Sequence, residues 1–217
     1  MPHARQGRAL RILVFQACAL PAVLVAWDAF RGALGANPIA EAMNRLGFWA
    51  LFFLLLSLAP TPLKTLFSWT SPIRFRRMLG LFAFFYAACH FVSYFAIDQF
   101  FDLQAILRDV TKRKFITVGF AAFAALLPLA LTSTDRSVRR MGFVRWKLLH
   151  RLSYGAALLG VVHFAWRVKA DLRQPMLFAL ALSLLLGIRL LAVGKDLLRD
   201  RDGRGLEKAK SGPQSAG

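Results

Sequence analysis

Six stretches of this chain, at about 10–27, 43–60, 79–97, 115–131, 148–166 and 176–193, are long and apolar, and short basic segments separate them. Each approaches the ~17–25 residues that an α-helix needs to cross the hydrocarbon of a bilayer. In hydrocarbon every backbone N–H and C=O must be paired within the protein, so an isolated apolar run has the helix as its only solution. The pattern therefore predicts an all-α integral membrane bundle of six transmembrane helices. The second and fourth runs are short or proline-flanked (Pro60, Pro62, Pro128), and Pro21 is expected to kink the first. The fifth is the weakest, since it holds His150, Arg151, Ser153, Tyr154 and His163, yet the stretch 155–162 is too apolar for a loop.

Hydrophobic residues make up 57% of the 217, above the ~45–50% usual for soluble domains. The net charge of +18 could suit a nucleic-acid partner, but the bases lie between the runs and not on one soluble face, so none is expected. Arg5, Arg8 and Arg11, then Lys64, Arg74, Arg76 and Arg77, then Arg136, Arg139, Arg140, Arg145 and Lys147, and finally the bases from Lys195 to Lys210 all fall on one side of a six-span chain. That side holds most of the 29 basic residues, which places both termini in the cytoplasm. The opposite loops, 28–45, 98–114 and 167–175, would lie on the other side of the membrane.

Three divisions follow: a cytoplasmic N-terminus (1–9), a membrane domain (10–195), and a basic tail (196–217) too polar to pack and expected to be disordered. The arginines ahead of the first run also suit a signal peptide. No small-residue cleavage site stands out, however, and the run continues to Trp27, so an uncleaved first helix is expected. Cys18 and Cys89 both sit in apolar runs and read as small buried hydrophobes, not a disulfide. The five tryptophans lie near span ends, as in an interfacial belt. No internal repeat is visible.

Three of the four histidines, His90, His150 and His163, lie in or at the ends of spans. An imidazole in hydrocarbon is costly without a partner, so such residues suggest a metal or haem site, a proton relay or a hydrogen-bond cluster. Spans three and five run in the same direction. His90 lies 13 residues past Arg77 and His163 lies 16 past Lys147, which at ~1.5 Å per residue gives depths of ~20 and ~24 Å. The two can face each other across one bundle, while His150 sits roughly 20 Å nearer the cytoplasm. Two levels suit two electron-carrying centres, and neutral imidazole is the usual axial ligand of b-type haem. On an ideal helix His150 and His163 would be about 140° apart, so a bend or two differently placed sites must absorb the difference. Span three has no second histidine. One step of fourteen residues back from His90 is Arg76, which can pair with a haem propionate or a phosphate but cannot ligate iron. Small residues before both outer histidines (Ala87, Ala88; Gly155, Ala156, Ala157, Gly160) allow close packing of helices or of a macrocycle.

The segments RFRRMLGLFAFFYAACHFVSY (74–94), LTSTDRSVRR (131–140), WKLLHRLSYGAALLGVVHFAWRVK (146–169) and LGANPIA (34–40) resemble the haem-binding membrane subunit of the bacterial periplasmic protein-methionine-sulfoxide reductase system, related to ferric reductase and NADPH oxidase membrane domains. The resemblance covers about residues 10–195. It implies an inner-membrane electron conduit that takes electrons from quinol through one or two b-type haems to a periplasmic molybdopterin reductase, with FMN also associated. On that pattern His90 and His163 ligate one haem iron and His150 is a ligand for a second. No G-x-G-x-x-G motif follows a strand, so the electron donor is expected to be separate. A membrane cytochrome serving ferric chelates, or a histidine-relay proton-coupled transporter, are the competing readings.

Overall fold

The structure is a computed structural model that describes residues 2–168 and 170–210. It is helical, with no strand among the described residues: α1 (Pro2–Phe30), α2 (Pro38–Leu58), α3 (Pro60–Phe67), α4 (Arg76–Val92), α5 (Leu103–Lys112), α6 (Lys114–Leu131), α7 (Asp135–Met141), α8 (Phe143–Leu149), α9 (Leu152–Arg167) and α10 (Arg173–Lys210). A 3₁₀ segment, Ser71–Phe75, leads into α4 and a π-helical segment, Ser93–Asp98, prolongs it. Six stretches are long and apolar enough to cross a membrane: Gly7–Phe30, Pro38–Phe67, Ser71–Asp98, Lys114–Leu131, Phe143–Arg167 and Arg173–Lys195. The fifth has the lowest mean hydropathy, 1.2, in keeping with its histidines and Arg151.

The surface is that of a protein dissolved in lipid. Leu13 is 61% exposed and Leu190 73%, while Tyr86, Ala83, Ala156 and Ala157 are completely buried. Many large aliphatic groups face outward, as expected where lipid tails solvate leucine as well as protein does, while the core combines leucine and phenylalanine (Leu51, Leu58, Phe53) with the fully buried alanines. The two most extensive contacts are α2 against α4 and α6 against α9.

Local chemistry sets where the helices begin and bend. Asn37 caps α2 by accepting from Ala40 N–H (3.0 Å), with Pro38 in the first turn, where a missing N–H costs nothing. At its other end Pro60 and Pro62 cannot donate into the ladder, which separates α2 from α3. Pro62 would leave the Leu58 carbonyl without its usual donor, and Arg189 Nη2 from α10 supplies one at 2.5 Å. Pro21 lies inside α1, as the sequence suggests. Beside it a side chain from α4 bonds two backbone groups of one turn. The Tyr86 hydroxyl accepts from Ala22 N–H (2.9 Å) and donates to the Cys18 carbonyl (2.8 Å), groups that would pair with each other in an uninterrupted helix. Cys18 and Cys89 are free thiols.

One expectation needs correction. The sixth helix does not stop at residue 195 but continues to Lys210, through most of the tail expected to be disordered. A helix already nucleated in the membrane adds one hydrogen bond per residue without a new nucleation cost, which composition alone does not reveal. The rest of that tail, 211–217, lies outside the described residues. The fifth span is interrupted at His150–Arg151, between α8 and α9, where the sequence allowed a bend.

Candidate metal centre

His90 lies near the C-terminal end of α4 and His163 near that of α9. The depth argument predicts that they meet, and they do: their ring centres are 6.2 Å apart, with the planes at 81°. Each ring is anchored in the same way. His90 Nδ1 donates to the Met43 carbonyl on α2 (2.8 Å), and His163 Nδ1 donates to the Phe115 carbonyl on α6 (2.7 Å). A carbonyl only accepts, so in both residues the proton sits on Nδ1 and Nε2 keeps a free lone pair. That is the arrangement of a metal-ligating imidazole whose second nitrogen is fixed by the backbone.

Both rings border a cavity of about 340 Å³, within the range of small-molecule and cofactor sites. Gly47, Gly119, Gly160, Ala87 and Ala156 keep its walls close, and Phe91, Phe120 and Phe123 shield it. Phe91 and Phe123 are stacked at 4.6 Å, so this aromatic wall is continuous. Its polar groups are few and lie toward one end: Asn44, Tyr94, Asp98, Arg113 and Arg167. Arg167 Nη1 donates to Asn44 Oδ1 at 2.6 Å, which fixes the guanidinium beside the cavity.

Two imidazoles on opposite sides of one ion, with Nε2 at about 2.0–2.1 Å and each ring centre about 1.1 Å behind its nitrogen, would place the centres about 6.3 Å apart. The observed 6.2 Å fits one shared ion. Among the described residues no cluster of three or more His, Cys, Asp and Glu side chains is able to hold a metal. A bare ion would thus have two protein ligands only, whereas an iron that carries four in-plane donors of its own needs two. The residues present fit a bis-imidazole haem.

His150 does not line that cavity. It ends α8, stacks on Trp146 (ring centres 3.9 Å apart) and bonds the Trp146 carbonyl through Nδ1 at 3.0 Å. Its Nε2 is buried with no hydrogen-bond partner. The helix is interrupted at His150–Arg151, so the angle of about 140° for an unbroken helix does not apply between His150 and His163. Arg76, at the start of α4, is within electrostatic reach of His150 and of Arg189. The Arg189 guanidinium lies over the Tyr154 ring at 4.9 Å, with Nε and Nη1 buried and unpartnered.

Comparison with known proteins settles the family. The model for the ferric reductase like transmembrane component matches residues 46–161, and so spans α2 to α9. A protein-methionine-sulfoxide reductase heme-binding subunit MsrQ from Rhodospirillum rubrum is 54% identical over 89% of this chain and 92% of its own length. The chain belongs to the MsrQ family. MsrQ proteins of the same description from Herminiimonas arsenicoxydans (46% identical, 87% of each chain) and Deinococcus radiodurans (52% identical, 76% of this chain and 82% of theirs) agree. The six-span MsrQ fold here brings together His90 and His163 and leaves His150 and Arg76 in a separate group. Sequence reasoning missed Asn44, Gly47, Gly119 and Arg167 as parts of the site. Only Arg167 had a usable signal, lying one turn beyond His163 on the same face.

Proposed function

We propose that this chain is the haem-carrying electron-transfer subunit of a two-component methionine-sulfoxide reductase, taking electrons from membrane quinol and passing them to a periplasmic molybdopterin partner that repairs oxidised proteins. The observation that carries the reading is the pair of anchored imidazoles, His90 and His163, with ring centres 6.2 Å apart across a shielded cavity. The relatives' description as heme-binding subunits of protein-methionine-sulfoxide reductase supports it.

A b-type haem, when bound, supplies one-electron chemistry at an iron that needs only two axial ligands from the protein. His90 and His163 would hold that iron through Nε2. The Met43 and Phe115 carbonyls hold both rings in the coordinating tautomer and raise their basicity. Phe91, Phe120 and Phe123 keep water from the site. Arg167 and Arg113 offer positive charge at its polar end, where carboxylate groups of the cofactor would be met. His150, with its unpartnered Nε2, is the ligand of a second centre, and Arg76 the cation for an acidic group there. FMN enters the reading through the family resemblance.

In this account the basic residues set both termini in the cytoplasm of a bacterial inner-membrane protein, and the polar end of the cavity faces the periplasm. Terminal catalysis belongs to the partner. The test is to reduce membranes containing this chain with quinol, then add a periplasmic methionine-sulfoxide reductase and its substrate. Rapid haem reoxidation that requires both additions is expected. Reoxidation at the same rate without the reductase would defeat the proposed partnership.

A further inference from the structure

The two outer histidines are held by two copies of one structural unit. On α2 the Met43 carbonyl accepts from His90 Nδ1, and one turn later Gly47 lies under the ring. On α6 the Phe115 carbonyl accepts from His163 Nδ1, and one turn later Gly119 lies under that ring. A Cβ on Gly47 would lie 3.2 Å from His90 Nδ1, 3.3 Å from Cε1 and 3.9 Å from Cγ. On Gly119 it would lie 2.7, 2.8 and 3.4 Å from the same three atoms of His163. The order is identical, so the rings rest on their glycines in the same pose. The local sequences also agree: Gly-Phe on the first helix of each pair (47–48 and 119–120) and His-Phe on the second (90–91 and 163–164). Hydropathy hides this repeat, because Gly-Phe and His-Phe pairs do not stand out within apolar runs.

We propose that Gly47 and Gly119 are positioning residues of the metal centre, each a seat that fixes the rotation of one ligand imidazole. This rests on the haem reading above. The carbonyl alone fixes one nitrogen and leaves the ring free to swing about that bond. The glycine beneath Nδ1 and Cε1 blocks the swing on one side, and a Cβ there would crowd the ring, severely at Gly119 and slightly at Gly47. Together the two seats set the angle of 81° between the ring planes. In a bis-imidazole ferric haem that angle governs the magnetic anisotropy of the iron: nearly perpendicular planes give a strongly anisotropic low-spin signal, and parallel planes a more ordinary rhombic one.

The clearances grade the outcome. At Gly119 a methyl group would come within 2.8 Å of two ring atoms, so His163 must move; at Gly47 the overlap is a few tenths of an ångström. Gly155, with nothing within 4 Å of a built Cβ, and Gly80, whose nearest neighbour would be Ser57 Cβ at 4.0 Å, control for the general effect of alanine on a helix. The experiment purifies wild type, Gly47→Ala, Gly119→Ala, Gly80→Ala and Gly155→Ala in mild detergent. It measures haem per protein, helicity and the low-temperature electron paramagnetic resonance of the ferric state. Gly119→Ala should keep its helicity and hold haem at least ~10-fold more weakly, as for the loss of other residues that orient metal ligands. Gly47→Ala should keep haem but show a shifted, less anisotropic signal, while both control variants match wild type. A wild-type ferric signal in Gly47→Ala overturns the proposal, whether or not Gly119→Ala folds. So does full haem retention with an unchanged signal in Gly119→Ala. A wild-type protein without haem would instead refute the functional reading on which the inference rests.

Discussion

Replacing Tyr86 by phenylalanine removes one oxygen atom from a completely buried ring that packs against Phe53 (ring centres 5.4 Å apart). That oxygen makes two hydrogen bonds into α1, to Cys18 C=O at 2.8 Å and from Ala22 N–H at 2.9 Å. Interhelical side-chain hydrogen bonds in membranes average about 0.6 kcal/mol and reach about 1.7. Two of them put the loss at roughly 1.2–3.4 kcal/mol if Cys18 C=O and Ala22 N–H stay apart. Should the α1 ladder close on itself after the substitution, the two backbone groups would satisfy each other and most of the loss would vanish. Pro21 crowds the Ala17 carbonyl, next to Cys18, which strains the ladder at this turn and works against closure. Reversible unfolding of wild type and Tyr86→Phe in mixed micelles measures the difference. Tyr86 does not line the cavity, so haem content and spectrum should be unchanged in the folded variant. A loss below about 0.5 kcal/mol would refute the idea that these two bonds tie α4 to α1.

Other substitutions separate the two groups of basic side chains. His90→Ala and His163→Ala should each remove most of the outer haem, while His150→Ala leaves it in place; haem quantitation on the three purified variants checks this, and equal complete loss in all three would contradict the separate sites. Arg167→Gln removes a cation from the polar end of the cavity and should lower the midpoint potential of the outer centre by roughly tens of millivolts, since a nearby positive charge favours the reduced state, as a redox titration would show. Arg189→Met leaves the Leu58 carbonyl without the donor that Pro62 cannot provide, and should cost about 1–3 kcal/mol in the same unfolding assay.

The spans and the pairing of His90 with His163 are legible in the sequence for simple reasons. Apolar length translates directly into membrane crossing, and a fixed rise per residue translates position into depth. What depth cannot give is rotation about the helix axis. Gly47 and Gly119 therefore look like ordinary packing glycines until the facing helix shows which of them lies beneath an imidazole. Arg167 reads as a loop base because it ends its span, yet its guanidinium bonds Asn44 at the border of the cavity. Arg189 hides in the apolar sixth run, and its role follows only from a proline on another helix. His150 is half legible: its separation from the other two follows from depth, but the break at His150–Arg151 does not, since nothing local there is a strong helix breaker.

The most direct test of the account is a ferric and dithionite-reduced visible spectrum, with haem quantitation, of the full chain purified from haem-replete cells. Two axial imidazoles on one iron predict a sharp low-spin haem b spectrum with at least one haem per chain, and no change on adding imidazole. A colourless protein, or a high-spin spectrum that imidazole converts to low-spin, would contradict the pairing of His90 with His163.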